Sequence, residues 1–144
     1  MNQTFENVKY ILSEDLNLKV TPVEQDNKNF LAVDLLFTKS NLKMFLITDI
    51  QESTVILNFL NIDYVQKDDN KLRDFESYLE KTNDINVNLK HGKFFIEWDK
   101  NKNLRLSYRM SVMFENELSK NLYKKALFTS LKTIDEQINK ILEG

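Results

Sequence analysis

Apolar positions along this chain repeat with two periods, and the switches between them divide it into elements. Phe5, Val8, Leu12 and Leu16, with Ile11 beside them, fall three and four residues apart, the spacing of one helix face. That helix should stop before Thr21-Pro22, because the residue preceding a proline is pushed out of the α region. The polar stretch 24–29 reads as a loop. Three runs over 30–37, 42–49 and 54–62 then alternate with a period of two, joined by short polar connections at 38–41 and 51–53. Runs so closely connected predict an antiparallel meander. Leu72, Phe75, Tyr78 and Leu79 return to helical spacing after Asp68-Asp69-Asn70, which offers capping groups, and this helix gives out in the polar run 83–86.

Past Gly92 the period of two returns. Phe94, Ile96 and Trp98 alternate, the Asn-rich turn 100–103 follows, and then comes the clearest alternation in the chain. There Leu104, Leu106, Tyr108, Met110, Val112 and Phe114 face one way, with Arg105, Ser107, Arg109 and Ser111 opposite. The chain closes on a helix over about 117–142, striped by Tyr123, Leu127, Leu131, Ile134, Ile138 and Ile141. So long an amphipathic helix must bury its stripe against a sheet or a partner. The pattern predicts an α+β fold of order α-β-β-β-α-β-β-α: a five-stranded antiparallel sheet with helices packed on it. No linker, repeat or low-complexity tract interrupts it, so residues 1–144 read as one domain.

Composition narrows the function more by exclusion than by pointing. A chain of 144 residues with 42% hydrophobic content is large enough for a single core. Twenty Lys and Arg interspersed with 22 Asp and Glu form no basic block, so nucleic acid is not an expected partner. No stretch resembles a signal peptide or a membrane span, and there is no cysteine for a disulfide, thiolate or Cys-based metal site. A cytoplasmic protein is the expectation.

Candidate chemistry is thin. The lone imidazole, His91, sits at a helix-to-strand junction and makes neither a triad nor a metal site. Two glycines, Gly92 and Gly144, cannot build a phosphate-cradling loop. No catalytic residue, cofactor or metal is expected. The competing reading is a metal-dependent hydrolase or nuclease using Asp34, Asp49 and Glu52, since the element order invites comparison with restriction-type nuclease cores. Against it, the run 55–60 lacks the acidic residue and lysine that such cores carry. An immunity or antitoxin protein is a further alternative.

The informative feature is the meander, which is apolar on both sides. Phe30 and Leu36 oppose Leu31, Val33 and Leu35; Phe45 and Ile47 oppose Met44 and Leu46; Ile56 and Leu60 oppose Leu57 and Phe59. An antiparallel sheet with one wet face should be polar there. At ~25 cal/mol per Å², leaving such side chains in water forgoes several kcal/mol. Either the chain's own helices cover both sides, or a dimer partner or client segment covers Phe30, Leu36, Phe45, Ile47, Ile56 and Leu60.

The segment Tyr78-Leu79-Glu80-Lys81-Thr82-Asn83-Asp84-Ile85-Asn86, then Gly92-Lys93-Phe94-Phe95-Ile96-Glu97-Trp98-Asp99, then Leu104-Arg105-Leu106-Ser107-Tyr108, resembles the YbjN family. That family comprises proposed bacterial sensory transduction regulators with the fold of type III secretion chaperones. Its pattern runs from a helix ending in an Asn-containing stretch to a Gly-basic-aromatic strand, an acidic turn, a second strand and a closing helix. The likeness covers roughly residues 72–142, and the first half only by element order. Two features depart from the pattern: the turn 100–103 lacks the usual Asp-Gly, and the stretch just after Phe114 lacks the usual glycine. The resemblance implies a non-enzymatic domain that pairs with itself and holds another protein or peptide. The second helix or strand edges would then lie in the dimer seam.

Overall fold

The structure, a computed structural model, describes residues 3–25, 28–37, 42–66 and 75–142, with the side chains of 25, 28, 29, 36, 37, 42 and 43 left out of the description. The amino-terminal stripe folds as α1 (Gln3–Tyr10), prolonged by a π turn over Ile11–Asp15 whose widened spacing joins the Leu16 amide to the Ile11 carbonyl. Asn17, at a φ of 53°, then turns the chain out of the helix, a left-handed conformation asparagine tolerates.

Six strands follow, one more than the pattern predicts. The additional strand, β1 (Val20–Gln25), occupies the segment expected to hold a helix end and a loop. Pro22, expected to end the first helix, lies inside this strand, and a proline is accommodated where no neighbour needs its N–H. β1 is an edge strand, paired only with β2 (Lys28–Phe37). β2, β3 (Leu42–Ile50) and β4 (Thr54–Val65) form the predicted meander. α2 (Phe75–Asn88) follows, its expected opening at residues 68–72 lying outside the described residues. Then come β5 (Lys93–Trp98), β6 (Leu104–Met113) and α3 (Lys120–Leu142). The order across the sheet is β1-β2-β3-β4-β6-β5, antiparallel throughout. Between Phe59 and Asp63 the register against β6 shifts at a bulge, where Asn61 takes a φ of 60°.

The core lies on one side of this sheet. Leu31, Val33, Met44, Leu46, Leu57, Phe59, Leu106 and Tyr108 point into it and meet Val8, Leu12, Tyr78, Tyr123, Leu127 and Ile134 from the three helices. Several of the polar groups caught inside are paired with one another or with backbone. Thr4 Oγ1 accepts from the Leu118 amide at 3.0 Å, and Asn7 Nδ2 donates to the Leu118 carbonyl at 3.0 Å, which pins α1 to the approach of α3. The Thr48 and Tyr123 hydroxyls share a 2.8 Å bond, both fully buried. Burial raises the Tyr123 phenol well above its usual range. Tyr123→Phe leaves Thr48 unpaired and should cost about 1–3 kcal/mol. Adding Thr48→Val removes the stranded hydroxyl, so urea titration should show the double variant recovering much of that loss.

The β5–β6 turn is organised by Asp99. Its Oδ1 accepts from the Asn101 and Asn103 amides at 2.9 Å each, and its Oδ2 accepts from the Tyr64 hydroxyl at 2.6 Å. The Tyr64 bond, then the Asn103 amide, hold the Asp99 carboxyl below its ordinary value of 3.8. A carboxylate lowered by folding stabilises the turn above the unfolded value and ceases to as pH falls through the folded one. Tyr64→Phe should therefore move the Asp99 titration back upward, observed as its ¹³C carboxyl shift against pH.

The free edge of β5 is covered by a side chain. Asn86 Nδ2 donates to the Phe94 carbonyl at 2.9 Å while its Oδ1 accepts from the Phe94 amide at 2.8 Å. An open strand edge is thereby blunted. Among the described residues, no helix is long and apolar enough to cross a membrane.

A helix-free apolar face as candidate protein-binding site

Alternation along β2, β3 and β4 sends every second side chain away from the helices, and the register decides which of them become neighbours. Across β2 and β3, Phe30 stands opposite Asp49, Ala32 opposite Ile47, and Asp34 opposite Phe45. Across β3 and β4, Asp49 meets Ile56, Ile47 meets Asn58, and Phe45 meets Leu60. Phe30, Phe45, Ile47, Ile56 and Leu60 therefore share one face, opposite the core. Phe45 is 47% exposed and the other four are half-buried. Leu36 pairs with Lys43 on the same strands, and its side chain lies outside the described residues.

Two residues that the pattern did not single out complete the patch. Val23, 39% exposed, is brought beside Phe30 by the β1–β2 pairing, and Ala32 lies between Thr21 and Ile47. Val23, Phe30, Ala32 and Ile47 line a depression of about 150 Å³. The β-branched residues Val20, Thr21 and Val23 are the signal by which β1 could have been found.

Towards β6 the face turns polar. Arg109 lies opposite Asn58 and donates from Nε to its Oδ1 at 2.7 Å, with the guanidinium 4.8 Å over the Phe95 ring. Stacked and bonded in this way, the arginine is held flat against the sheet. The face thus mixes apolar side chains with charges of both signs: Asp49 between Phe30 and Ile56, Asp34 opposite Phe45, and Arg109 opposite Asn58.

The carboxylates of the competing metal-site reading do not converge. Asp49 lies opposite Phe30, and Asp34 is four residues further along β2, roughly 13 Å at the rise of a strand. Glu52 is exposed in the β3–β4 connection. Among the described residues, no group of three or more His, Cys, Asp or Glu side chains is placed to hold a metal ion. His91 is exposed, and its carbonyl accepts from the Tyr108 hydroxyl at 2.8 Å.

No family model matches the chain, and no curated protein matches it. Among solved structures it is similar to the crystal structure of YbjN, described as "a putative transcription regulator from E. coli". The TM-score is 0.66, over 96% of this chain and 89% of that one, at 14% sequence identity. At that identity the likeness concerns the backbone: this chain has a YbjN-like α+β fold, with six strands in its sheet.

Proposed function

We propose that this protein is a non-enzymatic binding module, regulatory or chaperone-like, whose helix-free sheet face receives another polypeptide, in the first place a second copy of itself. The observation that carries the reading is the shared face of Phe30, Phe45, Ile47, Ile56 and Leu60, extended by Val23 and Ala32. The helices of the chain pack on the opposite side of the sheet. Covering four or five such side chains contributes several kcal/mol at ~25 cal/mol per Å², which is the driving force an association needs.

A second copy suits the face because a two-fold pairing sets apolar centre on apolar centre and needs no other complementary surface. The YbjN-like fold supports the regulatory half of the reading, since the solved neighbour is described as a putative regulator. Sedimentation velocity across a dilution series is the test. A dimer in the micromolar range that dissociates on dilution is expected; a monomer at every concentration contradicts self-association through this face.

A further inference from the structure

The end of β6 presents an edge that the rest of the sheet leaves open. β5 starts its pairing at Lys93, opposite Arg109, whereas β6 runs on to Met113. On its other side this last stretch is fully paired, with Met110 against Leu57, Ser111 against Ile56, Val112 against Val55 and Met113 against Thr54. Backbone groups of alternate residues point to alternate sides of a strand. The Phe94 amide and carbonyl point outward to Asn86, so Phe94–Tyr108 is the non-hydrogen-bonded pair and the Arg109 backbone faces β5. By the same parity Ser111 and Met113 face that side, beyond the end of β5. Phe114, whose amide donates to the Ser53 carbonyl at 3.0 Å, faces β4 as the parity requires.

This edge is one wall of a cleft of about 430 Å³. The opposite wall is Leu122, Lys125, Ala126 and Thr129, one face of α3 at helical spacing, and the connection through Lys90, His91 and Gly92 closes one end. Met110, Val112, Leu122 and Ala126 supply apolar surface, while the charged or titratable groups on the walls are Lys90, His91 and Lys125. No carboxylate lines the cleft among the described residues. Lys93, close in sequence, is committed elsewhere: its Nζ donates to the Asn86 carbonyl at 2.7 Å and the Leu89 carbonyl at 3.2 Å.

We infer that this cleft takes an extended, acidic segment of another protein, which adds to the sheet as a strand beside Ser111 and Met113. Its main chain bonds to the amides and carbonyls of those two residues. Its side chains alternate, so those turned towards α3 rest on Leu122 and Ala126, and its carboxylates meet Lys90 and Lys125. The four positions 110–113 offer a seat roughly 10 Å long, enough for three or four peptide residues. The cleft is separate from the helix-free face, so the inference stands whether or not that face pairs two copies.

Fluorescence anisotropy with a labelled peptide alternating glutamate with valine and leucine tests it, beside one twin with lysine for glutamate and another N-methylated at alternate amides. The acidic peptide should bind the full chain, and the lysine twin about tenfold or more weaker, with a steep salt dependence. Ser111→Pro removes one outward amide without touching the β4 pairing and should weaken binding about fivefold, the value of one backbone hydrogen bond. Should that variant fail to fold, the N-methylated twin tests the same bond on unaltered protein and should bind correspondingly weaker. Lys125→Glu should lower affinity for the acidic peptide, and Phe45→Lys should leave it unchanged. Absence of binding, equal affinity for both charge twins, indifference to N-methylation, or loss of binding in Phe45→Lys would each overturn the inference.

Discussion

Replacing Gly92 by alanine should destabilise the fold by about 3 kcal/mol. Calorimetry should read this as a melting temperature lowered by roughly 10 °C. Gly92 holds a φ of +68°, in the left-handed region where an L side chain is strained. A Cβ there would also overlap the Tyr108 hydroxyl and its ring carbon, and would stand 2.8 Å from the Arg109 carbonyl oxygen. Neither neighbour can give way cheaply. Tyr108 is fully buried between Phe59 and Phe94, and Arg109 is paired on both sides in the sheet. The clash is specific enough to show as coupling. Tyr108→Phe removes the overlapping oxygen at the expense of its bond to the His91 carbonyl, so the two substitutions together should cost less than their sum.

The second large effect concerns association. Phe45→Lys should convert the proposed dimer to monomer while leaving the fold intact. Phe45 is half-exposed at the centre of the helix-free face, so its removal opens no cavity in the core. The lysine would stand opposite Asp34, a favourable cross-strand pair, whereas an aspartate there would oppose a like charge. In a two-fold interface every substitution counts twice. Burying a phenylalanine is worth about 1.5–3 kcal/mol, so the dimer loses roughly 3–6 kcal/mol and its dissociation constant rises about 10²- to 10⁴-fold. Sedimentation and circular dichroism on the same samples would separate a lost interface from a lost fold.

What the sequence made legible, and what it did not, divides along physical lines. The period of each element follows from its own residues, so the meander, the β5–β6 hairpin and the closing helix could be read directly. The boundaries depended on single interactions. α3 begins at Lys120 because the Ser119 hydroxyl accepts from the Leu122 amide at 3.2 Å, which places the cap two to three residues beyond the expected start. α2 runs on to Asn88, through the polar run expected to end it, and its Asn86 side chain serves the β5 edge instead. β1 stays hidden because its six residues fall between the end of a helical stripe and a polar run, and the edge position that tolerates Pro22 depends on the whole sheet.

For the candidate face, alternation shows that Phe30, Phe45, Ile47, Ile56 and Leu60 have apolar residues behind them. It does not show that they stand together. Their clustering comes from the cross-strand register of two hairpins, whose first connection lies outside the described residues. The cleft beside β6 was less legible still, since it exists only because β5 is four residues shorter at that end than the strand it pairs with.

The proposed function requires that the side of the sheet without helices be a seat for another chain. Isotope-filtered NOE spectroscopy on a dimer mixed from labelled and unlabelled protein tests it most directly. Cross-peaks between subunits from the Phe45 ring and the Ile47, Ile56 and Leu60 methyls are predicted. Intersubunit cross-peaks confined to the helices, with those side chains in contact only with water, would contradict it.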